Sequence, residues 1–165
     1  MDTEQYLHEP RLATLEPETT AVVRGTVRLD ALPAFFDESF PRLFETLGRQ
    51  QVQPAGPPFA RYEGEPTETI EVELGVPTSR PIEPDGEVVP GELPGGEVAT
   101  GTHVGSYDHL RQSYDALARW IGEQGRVPSS GMWEVYVTEP GPDVDPSMLR
   151  TDIYWPLADG GGQGR

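Results

Sequence analysis

Two segments of this chain carry the same arrangement of residues, and a duplication of that kind restricts the fold more than any other feature. Pro54-Ala-Gly-Pro-Pro-Phe59-Ala60-Arg61-Tyr62 is matched by Pro128-Ser-Ser-Gly-Met132-Trp133-Glu134-Val135-Tyr136. In each, the tyrosine follows the proline by eight positions, and an aromatic stands three places before the tyrosine. Upstream, Arg24-Gly25-Thr26-Val27 precedes one helical pattern and Thr100-Gly101-Thr102-His103-Val104 precedes another. Two such copies predict a pseudo-symmetric domain with a cleft near the symmetry axis. The copies differ at one telling place: Ala60 in the first is Glu134 in the second.

The pattern between these motifs predicts the elements. Strands are expected over 6–15 and 19–27. A helix follows, capped by Asp30, with Pro33 in its first turn and Leu32, Phe35, Phe36, Phe40, Leu43, Phe44 and Leu47 at helical spacing. Gly48 is its expected stop, and Pro41 is expected to kink or divide it. A strand pair, 57–63 and 69–76, comes next. The segment 77–95, rich in Pro and Gly, is expected to cross between the two halves and to hold an edge strand over 86–93. The second copy repeats the order, with a strand over 97–104 and a helix over 107–124 capped by Ser106 and ended by Gly125. Tyr107, Leu110, Tyr114, Leu117, Ala118 and Ile121 mark one face of that helix. A strand over 132–138, a loop over 139–149 and a strand over 150–157 complete it. The 159–165 tail, mostly glycine, is expected to be disordered.

The fold class predicted is therefore α+β: a tandem strand-helix-strand-strand repeat with a mainly antiparallel sheet. Both helices are placed on one face and a ligand groove on the other. One domain is expected over residues 1–158, with half one at about 19–77 and half two at about 97–157.

Composition excludes several functions. With no cysteine, thiolate metal sites, disulfides and cysteine nucleophiles are ruled out. There is no apolar run of the roughly 20 residues that a transmembrane helix needs, and with its acidic start neither a signal peptide nor a membrane anchor is expected. A cytoplasmic protein is expected. Twelve basic residues, all arginine, face 28 acidic ones for a net charge of −16. That balance opposes direct nucleic-acid binding, which requires phosphates to be neutralised. It suits a surface adapted to concentrated salt or a G+C-biased genome, so it says little about a ligand. His8, His103 and His109 are scattered and read as surface or structural residues; neither a metal nor a cofactor is expected.

Strand alternation puts Met132, Glu134 and Tyr136 on one face, with Trp133 and Val135 on the other. The repeat transfers this to Ala60 and Tyr62, with Phe59 and Arg61 opposite. Phe59 and Trp133 are expected to point toward the helices, which leaves Glu134, Tyr136, Tyr62 and Met132 to line the open groove. Trp155 fits either the core or the groove wall. An acid among aromatic rings can trap a lipophilic cation, combining charge with cation–π attraction of about 0.5–2 kcal/mol. The same carboxyl could serve as a general base or nucleophile, because burial raises its pKa toward working pH.

These segments, together with Leu32-Pro-Ala-Phe-Phe36, Ile70-Glu-Val-Glu-Leu-Gly-Val-Pro77, Leu93-Pro-Gly-Gly-Glu-Val-Ala99, His103-Val-Gly-Ser-Tyr107 and Thr151-Asp-Ile-Tyr-Trp-Pro156, resemble the gyrase-inhibitor-like (GyrI-like) family of small-molecule-binding domains. The family includes effector-binding domains attached to AraC- and MerR-type regulators. The resemblance spans roughly residues 5–157 and implies a cleft for amphipathic, often cationic compounds, with an acid at its centre that falls on Glu134. It further implies two alternatives: hydrolysis of cyclopropane-bearing natural products by the same glutamate, or contact with gyrase. No helix-turn-helix pattern is present, so direct transcriptional control is not expected.

Overall fold

The computed structural model describes residues 6–63, 67–106, 109–138 and 145–158. Tyr107, the 139–144 part of the loop and the 159–165 tail, on which three of the expectations above fall, lie outside them. Among the described residues the chain is α+β, with eight strands and two α-helices. Its contacts divide it into two units, Glu16–Gly95 and the combination of Met1–Leu15 with Gly96–Arg165.

In the first of these units, β2 (Glu18–Arg28), α1 (Leu32–Gln50), β3 (Phe59–Glu63), β4 (Thr69–Pro77) and β5 (Val89–Leu93) form an antiparallel sheet in the order β3-β4-β2-β5. The other holds β1 (Leu7–Leu15), β6 (Gly96–Val104), α2 (Leu110–Glu123), β7 (Trp133–Tyr136) and β8 (Arg150–Pro156). Its order is β7-β8-β6-β1, again antiparallel. Each repeat is thus completed by the strand that precedes the other repeat in sequence.

The duplication extends to single hydrogen bonds. Pro54 bridges Thr78 and Pro128 bridges Leu157, in each case the residue just past a strand end. Ala55 N–H donates to the Pro77 carbonyl at 2.8 Å, and Ser129 N–H to the Pro156 carbonyl at 2.7 Å. The helix exits match as well, with Val52 N–H on the Leu47 carbonyl and Arg126 N–H on the Ile121 carbonyl. The repeated prolines mark the same junction twice because neither position needs a backbone donor.

Helix α1 buries Ser39, Leu43, Thr46 and Leu47 against β2 and β4. Three local details differ from expectation. Pro41 lies inside one continuous helix. It is exposed, as is Asp37 one turn earlier, so the carbonyl it leaves unpaired can take water. Gln51 rather than Gly48 takes the left-handed terminating conformation, at φ 57°. Neither Asp30 nor Ser106 caps a helix: Asp30 lies in a 3₁₀ turn, Leu29–Ala31, and the N-cap positions are Ala31 and His109. Gly125 ends the α2 turn with φ +74°.

Gly75 shows how tightly the sheet of the Glu16–Gly95 unit is layered. A Cβ at that position would stand 2.6 Å from the Ala21 carbonyl oxygen and 2.8 Å from the Phe59 ring. Gly75→Ala is therefore expected to destabilise the protein by about 1–3 kcal/mol through overpacking. Urea denaturation reads this as a lowered midpoint, and an unchanged midpoint would contradict the tight approach.

Candidate functional site

The faces of the strands follow from register, because directly opposite residues of an antiparallel pair share a face. On β7, Glu134 is opposite Ile153 and Tyr136 is opposite Thr151 of β8. Ile153 is fully buried in a cluster with Leu7, Ala99 and the α2 residues Ala116, Leu117 and Ile121. Glu134 and Tyr136 therefore lie on the face that carries α2. Trp133 takes the other face, stacked on Tyr154 with ring centroids 5.5 Å apart.

This reverses the expected orientation, and the other unit agrees. There Tyr62 is opposite Val72, which is opposite Gly25. A Cβ on Gly25 would come within 3.0 Å of the Phe35 ring of α1, so Tyr62 is on the α1 side. Phe59 and Arg61 point away from the helix. Ring size alone would turn Phe59 and Trp133 toward the helices and leave the groove opposite, but size does not decide the face here. Both faces are in fact buried at these positions, with Phe59 fully enclosed and Trp133 nearly so. The reversal also turns Arg61 away from the helix, where it is paired with Glu63 at 3.3 Å and Glu73 at 3.8 Å.

Glu134 is only 5% exposed. Its Oε1 accepts the Tyr136 hydroxyl at 2.7 Å. Among the described residues, no arginine or histidine is paired with it. Burial, opposed only in part by the tyrosine hydrogen bond, pushes its carboxyl up to about 7. Glu73 is the instructive contrast. It is a second buried glutamate, 8% exposed, but Arg24 donates to it at 2.8 Å and Arg61 stands alongside. Glu73 is a neutralised structural group, whereas Glu134 meets no counter-charge among the described residues.

The other expected site residues are distributed as follows. Trp155 shares the Glu134 face, one step along β8 from Ile153, with its ring against Tyr114 and its indole N–H on the Ser129 carbonyl at 2.9 Å. Met132 is half-buried and immediately precedes β7. Tyr62 belongs to the Glu16–Gly95 unit and is half-buried there. That unit also has a cavity of about 330 Å³, on β2, β3 and β4, lined by Arg24, Arg61, Glu63, Glu71 and Glu73 among others. It contains none of the site residues expected from the sequence.

His103, fully buried, ties β6 to α2. Its Nε2–H donates to the Ser106 carbonyl at 2.9 Å, which leaves Nδ1 to accept the Ser113 hydroxyl at 2.6 Å. Burial lowers its pKa from the ordinary value, so it is a neutral structural group. Sequence reasoning missed the Ser113 partner and also Thr151, the buried neighbour of Tyr136. The alternation Thr151, Ile153, Trp155 was the available signal for the latter.

A model of the GyrI-like small molecule binding domain matches residues 8–158. The chain belongs to the GyrI-like family. No curated protein matches the sequence. Among solved structures, the C-terminal domain of EcmrR is similar at 18% identity with a TM-score of 0.79, covering 92% of this chain and 98% of that one. SAV2435 bound to tetraphenylphosphonium is similar at 14% identity and a TM-score of 0.63, covering 92% and 94%. A hydrolase encoded by lin2189 from Listeria innocua is similar at 11% identity and a TM-score of 0.69, covering 96% and 99%. At these identities the likeness is one of fold. No helix among the described residues of this GyrI-like chain is long and apolar enough to cross a membrane.

Proposed function

We propose that this GyrI-like chain is a binding module for hydrophobic or cationic small molecules, with Glu134 as the counter-charge for a lipophilic cation. The observation that carries the reading is the buried carboxyl, which has no cationic partner among the described residues. An uncompensated buried charge is costly, and a ligand cation that arrives with its own apolar body removes that cost. Tyr136 holds the carboxyl in place, and Trp155 and Met132 supply apolar surface beside it. The bound tetraphenylphosphonium of SAV2435, a protein of the same fold, supports the choice of ligand class. Because Glu134 is covered, a ligand must part the side chains around it to enter.

Isothermal titration of tetraphenylphosphonium against the wild type and Glu134→Gln at pH 8 is the test. Binding by the wild type and a loss of at least tenfold in the variant are expected. Equal affinity in the two proteins would refute the role of Glu134.

A second reading uses the same carboxyl as a general acid–base in a hydrolase of strained electrophiles. It is favoured by a pKa near neutrality beside a phenol, which suits proton transfer. A cyclopropane-bearing electrophile that gains the mass of water with wild type but not with Glu134→Gln would establish it. An unchanged mass with both would dismiss it.

A further inference from the structure

Among the described residues, four buried side-chain oxygens have no hydrogen-bond partner: those of Thr20, Thr78, Tyr114 and Thr151. Thr151 is fully buried and lies directly opposite Tyr136, on the same face as Glu134. An unmade hydrogen bond in a buried hydroxyl is costly, and valine would fill the same volume without that cost. Thr151 is not engaged by its neighbours on that face. His103, its partner across β6, spends both ring nitrogens on Ser113 and Ser106. The Tyr136 hydroxyl gives its proton to Glu134.

We propose that the Thr151 hydroxyl is a second polar anchor of the Glu134 site, so that the preferred ligand is a protonated amine that also carries a carbonyl or similar acceptor oxygen. This rests on the assignment of Glu134 as the counter-charge. Glu134 and Thr151 are diagonal neighbours across the β7–β8 pair, roughly 7–8 Å apart with their Cβ atoms somewhat closer. A ligand that engages both groups carries its ammonium on the carboxylate and an acceptor oxygen on the hydroxyl, joined by a chain short enough to span that diagonal. The amine N–H donates to Glu134 and the Thr151 O–H donates to the ligand oxygen. Tetraphenylphosphonium has neither an N–H nor an acceptor oxygen, so it uses the charge alone.

The test compares three probes by titration calorimetry: γ-(dimethylamino)butyrophenone, its deoxy counterpart dimethyl(phenylbutyl)amine, and tetraphenylphosphonium. Wild type is expected to bind the ketone roughly five- to tenfold more tightly than the deoxy amine, the value of one hydrogen bond. Thr151→Val is expected to level the two amines and to leave tetraphenylphosphonium unchanged, while Thr151→Ser keeps the preference. Equal binding of the two amines by wild type overturns the proposal, as does an equal loss of all three probes in Thr151→Val. If none of the three binds wild type, the Glu134 assignment itself fails and takes this proposal with it.

Discussion

Replacing Glu134 with glutamine is expected to stabilise the ligand-free protein, and the gain is expected to grow with pH. In the unfolded chain this carboxyl titrates near 4.5, whereas in the fold burial holds it at about 7. Between those values the native state binds more protons than the unfolded state, so wild-type stability falls as pH rises through the interval. The stabilising, protonated form is fully present below 4.5, and its advantage has been lost once pH exceeds about 7. The interval corresponds to about 3 kcal/mol. Glutamine keeps a carbonyl oxygen for the Tyr136 hydroxyl and has no charge to lose. The difference between variant and wild type should therefore be small near pH 4 and widen by about 3 kcal/mol by pH 8. For a chain of this size that is a gain of roughly 6–12 °C in Tm at the upper pH. Scanning calorimetry of both proteins from pH 4 to 8 measures it directly. Parallel curves would mean that the carboxyl is charged and satisfied in the native state. A site that lowers the stability of its own fold in this way is what a binding function would leave behind.

The duplication and the element order were legible because they rest on local chemistry. The two prolines sit where the chain needs no donor, and the apolar residues of α1 and α2 recur at helical spacing. What sequence could not supply was which side of each strand faced its helix. Alternation separates Glu134 from Trp133 but does not say which of the two looks at α2. Size is a poor guide when Phe59 and Trp133 are buried on the far face. Register answers the question, since Ile153 is opposite Glu134 and packs on α2. The exchange of β1 and β5 was equally hidden. Edge pairing depends on where the chain returns in space, and neither strand carries a side-chain pattern that names its partner. Glu134 itself was legible as the residue that breaks the repeat. The difference between it and Glu73 was not, because a glutamate on a strand does not announce whether arginines will meet it.

That same difference sets the pH dependence of ligand capture. If a cation is held by the ionised form of Glu134, the carboxyl must first lose its proton, and binding competes with protonation at about pH 7. Above pH 8 nearly every molecule is ready, and affinity for tetraphenylphosphonium should level off. Below 7, each unit of acidification should weaken binding about tenfold, since only the ionised fraction contributes. From pH 8 to pH 5 the expected loss is roughly a hundredfold. The linkage has a second signature in the protons released when the cation binds. Near pH 6 almost one proton should leave per ligand bound, and near pH 8 very few. Calorimetry in two buffers of different ionisation enthalpy gives that number independently of the affinity. In Glu134→Gln both dependences should vanish, leaving weak binding that is flat with pH. A wild-type affinity equally flat from pH 5 to 8 would mean that the cation is held by ring contacts or by another acid, leaving Glu134 no part in its capture.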